Sequence, residues 1–332
     1  MGIVAAMIWI HATARTGSCA QYSHAVASHT MPRMDLPASP ELRLGGNGYG
    51  VGGRIVSHLS QCLWRDDASG KFGWNWTRGT TTPACAAGKT CTAPDCFADF
   101  SIASVSTGQG PWRVTPPSAT RRAIESSLPV NTSTLSRLVV TQDAAWGWHD
   151  LAPGSAPPAT SNASSRRTRF IYDFFLTRVR PNGSSVASTI TDEITINLAS
   201  NVAFPGSQPP GCLDPASRYG NRSTWGPIER NAVFDGANHY DYWYTDHHDA
   251  VPGTGTRYSS FRRVGGAAVG AQPPPRVDLL PFLDAVRRQW PGEAVGPWLG
   301  ELSWGTEIYD HSSGHVVFNS PPTVTPVLRY DH

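Results

Sequence analysis

This sequence predicts an all-β domain carrying one packed helix. Charged residues make up only 16% of the 332, against 32 Gly and 28 Pro, a balance that favours strands and turns over long helices. Several segments alternate apolar and polar side chains with the period of two that a half-buried strand requires. One segment keeps a helical period. From Asp278 to about Gln289, Leu279, Phe282, Leu283, Val286 and Trp290 fall at i, i+3, i+4, i+7 and i+11. Asp278 is placed to cap this helix, and Pro281 falls in the first turn, where a missing N–H is tolerated.

In chain order, Gly2 to Ile10 is an apolar run too short to span a bilayer. Small residues follow at Ala12–Ala14 and Ser18–Ala20, so residues 1–20 read as a secretory signal, although the usual early positive charge is missing. Residues 21–44 are polar and read as a loosely ordered leader; residues 45–332 read as a single domain. Gly48, Gly50 and Gly53 spell the G-x-G-x-x-G dinucleotide fingerprint, but no strand precedes it and no helix start follows. A flexible Gly-rich lead-in is the better reading.

Arg54 to Trp64 alternates in part. In Phe72–Thr77, Trp74 and Trp76 share a face, either as a stacking platform for sugar rings or as a core pair. A cysteine-bearing insertion at about 80–100 and the tract Pro153–Ser165 read as surface loops. Between them, Leu135–Thr141 and Asp143–Trp148 read as two strands. Asn231–Thr245 is aromatic and strand-like, and includes Trp243. It ends in Asp246, His247, His248 and Asp249. Neighbouring strand residues point to opposite faces, so the two histidines do not suit one metal ion and a polar loop is expected.

Three strands each place an acid among hydrophobes. In Phe170–Leu176 it is Asp173. In Thr191–Leu198, Ile194, Ile196 and Leu198 face a core while Glu193, Thr195 and Asn197 share the opposite face. In Leu302–Tyr309, Glu307 shares a face with Ser303 and Gly305. Carboxylates converging on one sheet face suit glycoside hydrolysis, in which one attacks and another protonates the leaving oxygen.

These three segments resemble the signature strands of glycoside hydrolase family 12, in the same order and over roughly the last four-fifths of the chain. The resemblance implies a β-jelly-roll sandwich of two antiparallel sheets with a concave substrate cleft. It implies an endo-acting, retaining β-1,4-glucanase or xyloglucanase with Glu193 as nucleophile, Glu307 as general acid/base and Asp173 tuning Glu193. Trp64, in a stretch similar to the family's early Asn-Leu-Trp-Gly strand, would line the groove with Trp74, Trp76, Asn197 and Trp243. Departures from the family pattern stand at Asp192, Thr195, Asn197, Ile308 and Tyr309, and Asp192 and Asn197 are expected to make the groove more polar. No metal or organic cofactor is implied. A non-catalytic carbohydrate-binding or cell-wall-interaction protein on the same sandwich is the alternative.

A net charge of +2 argues against a nucleic-acid or membrane-surface partner, and a monomer acting on β-glucan is expected. Cys62, Cys85, Cys91, Cys96 and Cys212 lack the paired spacing of a zinc site. At least one disulfide is expected, its pairing open, in a secreted extracellular protein with sequons at Asn75, Asn131, Asn162, Asn182 and Asn221.

Overall fold

The computed structural model describes residues 24–28, 33–36, 42–49, 59–78, 100–108, 128–150, 168–181, 189–200, 229–245, 256–266, 271–291, 294–308 and 312–329. Six strands form one sheet: β1 (His24–Ser28), β4 (Leu59–Asp66), β5 (Lys71–Arg78), β8 (Leu135–Asp150), β14 (Arg276–Asp278) and β16 (Ser312–Leu328). They lie in the order β1-β4-β5-β16-β8-β14, every pair antiparallel. The second sheet has ten: β2 (Arg33–Asp35), β3 (Leu42–Tyr49), β6 (Phe100–Gly108), β7 (Val130–Asn131), β9 (Thr168–Thr177), β10 (Ile190–Ser200), β11 (Glu229–Phe234), β12 (His239–Thr245), β13 (Arg257–Arg263) and β15 (Trp298–Ile308). Its order is β11-β12-β13-β10-β9-β15-β6-β3-β2, with β7 beside β15.

Alternation along each strand sends one set of side chains between the sheets. Phe72, Trp74, Val316 and Phe318 come from the six-stranded sheet, and Phe170, Tyr172, Ile194, Ile196 and Trp304 from the ten-stranded one. Phe318 stacks on Phe72 with centroids 5.1 Å apart and reaches Phe170 at 6.4 Å. Trp74 Nε1 donates to Thr306 Oγ1 across the layer at 3.2 Å, which satisfies a polar group that burial would otherwise penalise. Among the described residues this is a two-sheet sandwich with one α-helix packed on it.

Helix α1 (Leu280–Gln289) buries Phe282 edge-on against Tyr240 at 4.7 Å and Phe261 at 5.1 Å. Asp278 lies just ahead of it. Its Oδ1 accepts from Leu280 N at 3.2 Å and Leu138 N at 3.1 Å, and its Oδ2 pairs with Arg137 Nε at 3.0 Å. That carboxylate ties helix entry to β8. At the free side of β8, the Gln272 amide donates to Trp146 O and accepts from Trp146 N, both at 2.9 Å, so a side chain closes an otherwise open edge.

The architecture departs from the sequence reading in five places. The segment 21–44 supplies β1, β2 and the start of β3, so it is part of both sheets and not a loose leader. The Gly-rich lead-in is in part strand β3, paired to β2 and β6. Leu135–Asp150 is one strand of 16 residues, because β16 accompanies its whole length through register shifts. Asn231–Thr245 is not one strand. β11 and β12 turn at Asp235–Asn238, where Gly236 takes φ +96 and Asp235 Oδ1 accepts from Ala237 N and Asn238 N. The sheets are also not wholly antiparallel, since β10 and β13 run parallel. The expected disulfide cannot be traced among the described residues, since Cys62 on β4 is the one cysteine they include and Cys85, Cys91, Cys96 and Cys212 lie outside them. Residues 1–20 and Asp246–Asp249 also lie outside the described residues.

Candidate active site

Residues paired across a ladder project to the same side of a sheet. Asp173 on β9 is opposite Thr195 on β10 and opposite Ser303 on β15. Glu193 is two residues from Thr195, so it shares that face. Glu307 is opposite Arg169, four residues from Asp173, so it shares that face too. The intervening residues Tyr172, Phe174, Ile194 and Trp304 are buried on the reverse side, in the inter-sheet core. Three adjacent strands therefore present Glu193, Asp173 and Glu307 together on the side turned away from the core.

The acids sense one another. Asp173 and Glu193 keep part of their surface open, yet burial is the main cause raising both. The Asp173 carboxyl is pushed up to about 7 by burial, then by the nearby charges of Glu307 and Glu301. Glu193 is raised well above the ordinary glutamate range by burial, then by Asp173 and Glu307. Two carboxyls in one poorly solvated site do not both ionise readily, so this pair retains a proton where isolated acids would not. Arg169 offsets part of the negative charge, with Nη1 3.5 Å from Glu307 Oε2 and both side chains largely buried.

Tyr258, opposite Glu193 on β13, was not singled out from the sequence. Its hydroxyl is raised to about 12 by burial and by the charges of Glu307 and Glu193, while a hydrogen bond with Thr195 and the Arg169 charge act the other way. Glu301, also buried, belongs to the same charged neighbourhood. Arg169 was legible in principle, because strand period puts it on the face of Asp173. Tyr258 was not, because nothing local specifies a parallel partner.

The tryptophans are corrections. Trp74 and Trp76 are 0% and 2% exposed in the inter-sheet core and cannot offer a stacking platform. Strand period put them on one face but did not say which. Trp64 is opposite Gly73, on the reverse side of the six-stranded sheet from Trp74, with its ring against Gly73 and Nε1 3.4 Å from Asn75 Oδ1. It is far from the acids by topology. Asn197 does lie on the acid face, but it is buried and its Nδ2 donates to Ser260 Oγ at 3.2 Å and Phe261 O at 3.1 Å, so it fastens β10 to β13. Trp243 is opposite Ser260 in the ladder; its side chain lies outside the described residues. Asp192 does not enrich the groove. It is fully buried on the reverse side from Glu193 and pairs with Arg257. Among the described residues no group of three or more His, Cys, Asp or Glu is disposed to hold a metal ion, and no helix is long and apolar enough to cross a membrane.

Neither a family model nor a curated protein matches this sequence. Solved structures do match. A family 12 xyloglucanase from Bacillus licheniformis superposes with a TM-score of 0.58 at 16% identity, over 91% of this chain and 100% of the other. The chain has the jelly-roll fold of the family 12 glucan hydrolases. An endoglucanase from Rhodothermus marinus gives a TM-score of 0.52 at 17% identity, over 92% of this chain and 100% of the other. A family 12 endoglucanase from Trichoderma harzianum gives 0.51 at 12%, over 92% and 98%. At such identities the likeness is one of architecture, a divergent version of the family 12 fold.

Proposed function

We propose that the protein is a secreted, monomeric, retaining endo-hydrolase of β-1,4-glucan, taking cellulose-type glucan or xyloglucan. The observation that carries this reading is the placement of Glu193, Asp173 and Glu307 on three neighbouring strands, on one face of a sheet in the family 12 fold. A retaining enzyme uses one carboxylate to attack the anomeric carbon and a second carboxyl about 5–5.5 Å away to protonate the leaving oxygen.

In the first step a Glu193 carboxylate oxygen bonds to the anomeric carbon as the glycosidic bond breaks and Glu307 gives its proton to the departing oxygen. In the second, Glu307 takes a proton from water, and the resulting hydroxide displaces Glu193 with the β-configuration restored. Asp173 has a defined part. In this reading the proton that the pair retains rests on Asp173, which donates it to Glu193 and so leaves that carboxylate ionised for attack. The reaction written this way involves no metal or organic cofactor.

In this reading Cys62 is half of a disulfide formed in an oxidising compartment, which a secretory signal at residues 1–20 leads to. A non-catalytic carbohydrate binder on the same sandwich is the competing reading. Hydrolysis of soluble β-glucan and xyloglucan followed by proton NMR separates the two. The β-anomer is expected first. Release of the α-anomer first overturns the retaining mechanism, and binding without cleavage overturns the enzyme reading.

A further inference from the structure

Glu193 and Tyr258 sit side by side on β10 and β13, the one parallel pairing in an otherwise antiparallel sandwich, as far as the described strands show. No hairpin sets the register of that pair, because β11 and β12 intervene in the chain. A slip of one residue would turn Tyr258 to the core and carry Arg257 into the cleft. Something must specify the register.

Directly behind the two residues, Asp192 is opposite Arg257 in the ladder. Arg257 Nε donates to Asp192 Oδ1 at 2.8 Å and Nη2 donates to Oδ2 at 3.0 Å, a two-pronged contact between side chains only 5% and 1% exposed. Nη2 also donates to Ala294 O at 3.3 Å, and the guanidinium lies 5.4 Å from the Trp290 ring centroid, just past α1. A planar fork matched to a carboxylate fixes position along the strand as a point charge does not.

We propose that the Asp192–Arg257 pair is a positioning device that fixes Glu193 and Tyr258 side by side in the cleft, acting from the opposite face of the sheet. The inference deepens the hydrolase reading and rests on it for its kinetic test. Each partner immediately precedes the residue it positions, so displacement of the pair moves both cleft residues at once.

The test removes both charges together with Asp192→Leu/Arg257→Met, which leaves no orphaned buried charge and so keeps a folded protein within reach. For the double variant, kcat is expected to fall about 100-fold with KM held and Tm near that of the wild type, since small misplacements of a reacting group cost that much. The Glu193 carboxyl ¹³C titration, assigned by its loss in Glu193→Gln, is expected to move its midpoint. A purely structural pair would leave kcat and that midpoint in place, and such a result overturns the proposal. Arg257→Lys keeps the charge and loses the fork. A kcat drop of about 10-fold at unchanged KM is expected of it, and a wild-type kcat overturns the proposal even if the double variant does not fold. Should the wild type cleave no glucan, the hydrolase reading fails, and the carboxyl titration alone still decides whether the pair positions Glu193.

Discussion

Arg169 and Glu307 face each other across the β9–β15 ladder, and their side chains meet at 3.5 Å beside two further buried acids. A carboxyl that must deliver a proton thus has a permanent cation next to it. The arrangement suits the second half-reaction, in which the same group is a base, better than the first. Replacing Arg169 by Met removes the cation paired with Glu307 and frees that side chain to move, so kcat/KM is expected to fall by roughly tenfold. A wild-type kcat/KM would show that the ion pair is broken in the working complex.

Removing a carboxyl oxygen tests the division of labour more directly. Glu193→Gln and Glu307→Gln are each expected to lower kcat by about 10³-fold or more, since neither the covalent step nor the proton transfer has another group to perform it. A small external anion entering the space left in Glu193→Gly should restore turnover of a substrate with an activated leaving group. The product then has inverted configuration, which chromatography and NMR identify. Rescue in Glu307→Gly with retained configuration would mark Glu307 as the proton donor. The opposite pattern exchanges the two roles.

Much of this site was legible because strand period is strict. Asp173, Glu193 and Glu307 each stand out as an acid on one face of an alternating strand, and period alone places Arg169 with Asp173 and Asp192 on the face opposite Glu193. What alternation leaves open is which side of the sheet faces the core, so it could not choose between a stacking platform and a core pair for Trp74 and Trp76, and the core pair is what forms. Long-range pairing is the second gap. β16 carries Pro321, Pro322 and Pro326, which argue against a strand locally. It forms because register shifts between Phe318 and Thr323 absorb the irregular stretch while β8 supplies partners along the rest. β13 offers the same lesson, since its meeting with β10 depends on chain that lies between them.

Burial of the acid cluster has a consequence for stability. The Asp173 carboxyl is raised from 3.8 to about 7 in the folded protein. A raised carboxyl binds protons more tightly folded than unfolded, so its contribution to stability is full below about pH 4 and is lost as pH rises through about 7. Glu193 is raised as well, by burial first, and acts in the same direction. Thermal melts should therefore show the Tm of the wild type falling by several degrees between pH 5 and pH 8 relative to Asp173→Asn, which cannot ionise. Parallel pH dependence of the two proteins would mean that the carboxyl is well solvated.

Trp74 distinguishes a tryptophan that holds the sandwich together from one that holds sugar. Its ring is fully buried, lies 5.7 Å from Phe318 by ring centroids and is hydrogen-bonded to Thr306, one residue before Glu307. Truncation to Ala empties a large cavity between the sheets and leaves the Thr306 hydroxyl unpaired, at a cost of about 3–5 kcal/mol. A Tm lowered by roughly 5–10 °C is expected, with KM for glucan unchanged at temperatures where the variant is folded. Trp74→Phe keeps most of the ring volume and should lose far less. The neighbourhood of Thr306 gives the comparison a second reading. If kcat falls in Trp74→Phe while Tm holds, the indole also steadies the strand from which Glu307 projects. A rise in KM in either variant would return Trp74 to the substrate groove and contradict its burial.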